Sequence, residues 1–187
     1  MRAKVSWVAA NRFVGAADSG HGVIMESKSE EGPAIGASPM EMVLLALGGC
    51  SSIDVVEILR KMRVDLSALE VILHAERAPE APRVFVKADL EFVAEGTGLA
   101  DEALKRAVDL SMDKYCSVAA MLKKSGCAVT YSYRLREKGL HAEIDAPSKP
   151  ALPLSPSPGE LHPAPSRDVH FPGPPGPRPH GENRGAD

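Results

Sequence analysis

The chain has 187 residues, a formal net charge of −3 and 25% charged residues of both signs interspersed, so it lacks the basic stripe that nucleic-acid binding needs to neutralise phosphates. No apolar run is read as reaching the roughly 20 residues that span a bilayer, and MRAKVSWVAA holds no apolar core of signal-peptide length. Nucleic acid and membrane are therefore not expected partners, the cytoplasm is the expected address, and one well-buried core is the expected organisation at this length.

The segments AKVSWVA, RFVGAA and HGVIMES are short, partly alternating and separated by Asn, Asp and Gly, which predicts an opening antiparallel meander. SPMEMVLLALGGCSSIDVVEILRKMR then carries the strongest helix signal. Ser38 is placed as its N-cap, Pro39 fits the first turn, and Glu41 stands where a capping-box carboxylate reaches back to the cap amide. Met42 to Leu47 is apolar all round, as in a helix buried on every side, while Glu57, Arg60, Lys61 and Arg63 make its end amphipathic. Gly48 and Gly49 each cost about 1 kcal/mol relative to alanine in a helix interior, so a close backbone approach or a bend is expected there.

LEVILHAER and RVFVKADLEFVA read as strands, the second with Val84, Val86, Ala88, Leu90 and Phe92 alternating against Phe85, Lys87, Asp89 and Glu91. LADEALKRAVDLSMDKY has helical spacing, CSVAAMLKKSG makes a short helix closed by Gly126, and CAVTYSYRLRE alternates as a last strand. The order gives an α+β domain over residues 1–138, without the βαβ alternation of a doubly wound sheet. Beyond it, residues 139–187 hold 12 of the 16 prolines and few large apolar side chains, a composition expected to remain a disordered, extended tail.

Three cysteines, Cys50, Cys116 and Cys127, are odd in number, far apart and without a CxxC pair, which disfavours a disulfide framework or a zinc knuckle and predicts reduced thiols. Cys50 lies deep in the apolar helix, whereas Cys116 in DKYCSV starts another, where free amides and the positive end of the helix dipole favour a thiolate. Buried cysteines are more often packing residues than nucleophiles, so either alone would carry little. Asp54 and Glu57 share the helix face of Cys50, and because a neighbouring carboxylate opposes a thiolate, an activating cation must come from elsewhere.

GASPMEMVLLALGGCSSIDVVEILRK together with AVDLSMDKYCSVAAML resembles the OsmC/Ohr family over about residues 1 to 137. The resemblance implies an OsmC-like fold, with antiparallel sheets wrapped around long buried central helices in an intertwined homodimer. It further implies thiol-dependent reduction of organic hydroperoxides. Cys50 would attack the O–O bond and become a sulfenic acid, Cys116 would condense with it to a disulfide, and an external dithiol would reduce that disulfide. Neither a metal nor an organic cofactor is implied.

In the family a glutamate near the helix start and an arginine from an earlier loop organise the cysteine. Here Met40 follows Pro39 where members commonly have glutamate, and Glu41 comes one residue later, rotated by about 100° on a helix and already suited to capping. The candidates for the cation are Lys28 in ESKSEEGPAIG and Arg12 in NRFVG, although lysine lacks the planar guanidinium fork. Cys127 is assigned to packing. His21, His74 and His141 have no ligand spacing among them, and His162, His170 and His180 fall in the tail. Two other readings stay open: a non-enzymatic dimer that binds a small apolar or electrophilic ligand or senses redox state through the same thiols, and an interaction protein whose proline-rich tail supplies the role.

Overall fold

The computed structural model describes residues 1–27 and 33–136. Lys28, the proline-rich tail and the boundary at 138 lie outside the described residues.

Strands β1 (Ala3–Ala9), β2 (Arg12–Ala17) and β3 (Gly22–Glu26) form the expected antiparallel meander, in the order β1-β2-β3. β1 is exposed along its whole length, and Val5, Trp7, Phe13, Val14, Val23 and Ile24 of this sheet stay open to solvent in the single chain. The end of β3 ties the sheet to residues 35–37, just ahead of the long helix. Met25 and Ala37 form a parallel bridge, Glu26 N–H donates to Ala37 O at 3.2 Å, and the buried Glu26 carboxylate accepts from Ile35 N–H at 2.9 Å.

Helix α1 (Pro39–Lys61) begins as the sequence predicts. Ser38 Oγ accepts from Glu41 N–H at 3.3 Å, and Glu41 Oε2 accepts from Ser38 N–H at 2.7 Å, so the capping box satisfies two backbone donors at once. By length and composition this 23-residue helix is apolar enough to cross a bilayer, which corrects the reading that no such run exists. The interruptions Gly48, Gly49, Ser51, Ser52 and Asp54 disguise it in the sequence. In the fold it is a core helix on one side: Leu47, Gly48, Ser51, Val55 and Leu59, spaced by about a turn, are buried against the rest of the domain. Leu45 and Ile53 on the other side remain 60% and 66% exposed, so burial on every side is not achieved within one chain. Gly48 explains itself, because a Cβ there would meet Leu73 Cδ1 at 3.0 Å, whereas a Cβ on Gly49 would meet nothing within 4 Å.

β4 (Asp65–Arg77), β5 (Phe85–Thr97) and β6 (Ala128–Leu135) form a second sheet in that order. β4 and β5 run antiparallel, but β6 pairs with β5 in parallel. The expectation of wholly antiparallel sheets therefore fails at this one pairing. Helices α2 (Asp101–Leu110) and α3 (Ser117–Lys124) carry the chain back across the sheet, and a parallel neighbour needs such a crossover. The alternation read in β5 also slips once: Glu76 pairs with Lys87 and Arg77 with Phe85, leaving Val86 as an extra residue. This bulge buries Phe85 and exposes Val84 and Val86, while Ala88, Leu90 and Phe92 point into the core as expected.

Replacing Ser38 by alanine should lower the free energy of unfolding by about 1 kcal/mol, whereas Ser38→Asp, which still offers an acceptor, should lose much less. Urea denaturation followed by circular dichroism measures both.

A candidate two-thiol site

Where α1 crosses the helical layer, Cys50 and Asp54 stand one turn apart on the same face, both half-buried. Cys116 arrives from the other side. α2 does not run straight into α3; Ser111–Tyr115 forms one π turn, in which Cys116 N–H donates to Ser111 O at 2.8 Å. The wide turn adds a residue to the helical register and then breaks it, so that Cys116 turns extended (φ −65°, ψ 103°) and becomes the N-cap of α3. Its Sγ accepts from Ala119 N–H at 3.4 Å. The Cys50 and Cys116 sulfurs and an Asp54 carboxylate oxygen all lie within 4.8 Å of one another.

Ser111 holds this arrangement together. Its buried hydroxyl donates to Ser51 O at 3.2 Å and to Asp54 Oδ2 at 3.3 Å, joining the π turn to α1. Ser51, also fully buried, donates back to Leu47 O at 2.9 Å and Gly48 O at 3.1 Å. Both hydroxyls are satisfied, which a buried polar group requires.

The two sulfurs differ in environment. Cys116 is 3% exposed, and burial pushes its thiol from 9.0 up to about 11, with contact to Cys50 adding to the rise; the amide donors at Ala119 and Val118 pull the other way but do not win. The helix N-terminus was expected to favour a thiolate at Cys116. Burial reverses that expectation, because desolvating a charge outweighs two amide dipoles. Cys127, at the start of β6, is buried and raised by burial, as befits a packing residue.

The other candidates from the sequence are not gathered at the sulfurs. Glu41 lies nine residues before Cys50 on α1, about 13 Å along the axis, with its carboxylate on the Ser38 amide. Arg12 is on β2, where its guanidinium donates to the Glu26 carboxylate at 3.0 and 3.3 Å. That pairing, after the stronger bond from Ile35 N–H, holds the Glu26 carboxyl below its ordinary range. Lys28 is outside the described residues. Sequence reasoning noted Asp54 only as a neighbouring charge and missed Ser111 altogether, since a π turn leaves no periodic signature in DLSMDKY.

A cavity of about 500 Å³ opens beside the site, lined by Asp54, Ile58, Lys61, Arg106, Leu110 and Tyr115 among others. A second, of about 490 Å³, lies on the first sheet between Val5, Phe13, Met25 and Pro39, and no thiol lines it. Among the described residues no thiol lines the first cavity either; it adjoins the site through Asp54 alone.

Comparison with known proteins adds a family to this geometry. The OsmC-like protein family matches residues 31–132. Over 136 residues the chain is 50% identical to Protein YhfA of Escherichia coli K12, covering 72% of this chain and 98% of that protein. An OsmC-like protein from Mycoplasma pneumoniae superposes with a TM-score of 0.64 at 11% identity, over 73% of this chain and 96% of the other. An organic hydroperoxide resistance protein OsmC from Legionella pneumophila gives 0.51 at 12% identity, over 71% and 94%. At such identities the last two likenesses establish the fold alone.

The folded chain holds the Cys116 proton more tightly than the unfolded chain does. The contribution of this thiol to stability should therefore be complete below about pH 9 and lost as pH rises towards about 11. Urea midpoints at pH 8 and pH 10.5 should show that fall, and Cys116→Ser should flatten it in part, leaving the share of Cys127 and Tyr131, whose ionisation burial also opposes.

Proposed function

The chain belongs to the OsmC-like protein family, and from that membership and the sulfur geometry we propose that it reduces organic hydroperoxides through Cys50 and Cys116. The observation that carries this reading is the placement of the two sulfurs within 4.8 Å of each other. A disulfide is about 2.05 Å long, so they need to approach by at most about 2.8 Å to bond.

Burial supports this division of roles. Cys116, protonated at neutral pH, is a poor nucleophile, and half-buried Cys50 is the peroxidatic residue. The Cys50 thiolate attacks one peroxide oxygen, the O–O bond breaks, and the departing alkoxide takes a proton to leave as alcohol. Cys50 is then a sulfenic acid. The Cys116 sulfur displaces its hydroxyl, the Cys116 proton leaves with that hydroxyl as water, and a disulfide forms; an external dithiol returns both thiols by exchange. The chemistry is set in the cytoplasm, where such a dithiol keeps the resting pair reduced.

A homodimer completes the reading. Leu45, Gly49 and Ile53 form an uncovered stripe on α1, and the first sheet exposes Trp7, Phe13 and Ile24. A second copy is the occupant that would cover both, and Gly49 lets a second helix come close. The opposing reading, a non-enzymatic dimer that binds an apolar or electrophilic ligand or senses redox state, is favoured by one observation: Arg12 is engaged with Glu26 rather than with the thiols.

Mass spectrometry of the fully reduced protein before and after one equivalent of cumene hydroperoxide tests the proposal. A rapid Cys50–Cys116 disulfide is expected, with one alcohol released per disulfide. Cys50→Ser should abolish it, and Cys116→Ser should stop at a sulfenic acid that dimedone traps. Slow, unselective oxidation would reject the peroxidase in favour of the ligand-binding dimer. Separately, sedimentation velocity should return twice the chain mass for the wild type and a single chain for Ile53→Asp.

A further inference from the structure

The two sulfurs stand together with a third potential ligand, the Asp54 carboxylate, which the peroxide chemistry does not use. We propose that Cys50, Asp54 and Cys116 form a three-ligand site for a thiophilic divalent cation, Zn²⁺ in the first place, which closes the reduced site to oxidation.

The donor set decides the class of ion. Two sulfurs and one carboxylate suit zinc or a chemical relative, while magnesium and calcium require oxygen throughout. Cys50 and Asp54 stand at i and i+4 on α1, the spacing by which a helix offers two ligands to one zinc. Cys116 supplies the third from the N-cap of α3. Around tetrahedral zinc, with Zn–S near 2.3 Å and Zn–O near 2.0 Å, ligand atoms lie about 3.5 to 3.8 Å apart. The three ligand atoms are already within 4.8 Å of one another, so each needs to move by less than about 1 Å, well within side-chain adjustment.

The surroundings suit an ion as well. Metal ligands are oriented by outer hydrogen bonds, and here Ser111 donates to Asp54 Oδ2 at 3.3 Å while Ala119 N–H donates to Cys116 Sγ at 3.4 Å. Among the described residues Asp54 has no ion pair; its one hydrogen-bond partner there is the neutral hydroxyl of Ser111. With both thiols ionised the cluster would carry three negative charges, two of which the ion would neutralise. The fourth position is left to water, which enters from the cavity of about 500 Å³ that Asp54 also lines.

Binding replaces a proton on each sulfur, so Zn²⁺ and two thiols give a zinc dithiolate and two protons. Because two protons are released on binding, binding tightens as pH rises. A bound thiolate has its electron pair committed to the metal and attacks peroxide slowly, so the ion would hold the pair reduced until a chelator or a competing thiol removed it.

The test is an anaerobic titration of the reduced full chain with Co²⁺, read by sulfur-to-cobalt charge-transfer absorption, then displacement by Zn²⁺. The expected result is a band that saturates at one ion per chain, disappears with Zn²⁺ and persists in excess Mg²⁺. Cys50→Ser should lose the band and Cys127→Ser should keep it. Asp54→Asn, which preserves both thiols and the shape of the side chain, should weaken binding by at least about tenfold, since even an outer hydrogen bond to a ligand is worth that much. No band at one equivalent, or a titration unchanged by Cys50→Ser or by Asp54→Asn, would overturn the site. The peroxide reaction is run on metal-free protein and with one equivalent of Zn²⁺. A disulfide without a cobalt band rejects the metal site alone, a band without a disulfide rejects the peroxidase alone, and Zn²⁺ that leaves the peroxide rate unchanged rejects the closure.

Discussion

The hydroxyl of Ser111 is the point at which the domain is registered. It lies fully buried between the π turn and α1 and divides its proton between Ser51 O and the Asp54 carboxylate. A buried hydroxyl left without acceptors costs about 1–3 kcal/mol, so sliding the helical layer by one residue along α1 would break this contact and incur that cost. The apolar packing of Leu47, Val55, Leu59, Leu104 and Val108 supplies cohesion without direction, because greasy surfaces tolerate small slips. The serine supplies the direction, and the position of Cys116 against Cys50 depends on it.

The same helix has to meet two demands that conflict in sequence. One face must be small and polar enough to admit Leu73 against Gly48 and to receive Ser111. The other carries Leu45 and Ile53 without cover from its own chain. Serines in a helix interior compete with the backbone by bonding the carbonyl one turn back, as Ser51 and Ser52 do at Leu47 and Gly48. Two glycines and two serines therefore weaken α1 as an isolated helix, and its stability has to come from the elements that pack against it.

Most of the architecture was legible because it is written in short-range chemistry. The capping box at Ser38 and Glu41, the alternation within β6 and the Gly126 turn at φ +88° are local features, and each was found where its residues predict it. The features that escaped were set at longer range or by irregularity. The parallel return of β6 depends on how α2 and α3 cross the sheet, which periodicity does not encode. The bulge at Val86 shifts an alternation by a single residue, and the π turn at Ser111 does the same to a helix. For the site, the two cysteines could be named from their motifs, but their separation in space could not, and the environment of Cys116 was misjudged because a helix N-terminus is visible in sequence while the depth of its burial is not. The residues offered as organisers were chosen by type, and the structure occupies Glu41 and Arg12 with a cap and a partner of their own.

The sulfurs are drawn from positions 50 and 116, and the crossover between β5 and β6 is what brings the second to the first. Their meeting is thus a readout of completed tertiary structure, because neither α1 alone nor the second sheet alone contains it. On the proposed peroxidase chemistry, a chain whose crossover has come loose would still carry Cys50 but have no neighbour to intercept its sulfenic acid, and further peroxide would drive that sulfur to the sulfinic state, from which thiols do not recover it. Oxidative damage would then fall selectively on molecules that have begun to unfold, so that an irreversible chemical mark at residue 50 records the loss of a fold rather than exposure to oxidant alone.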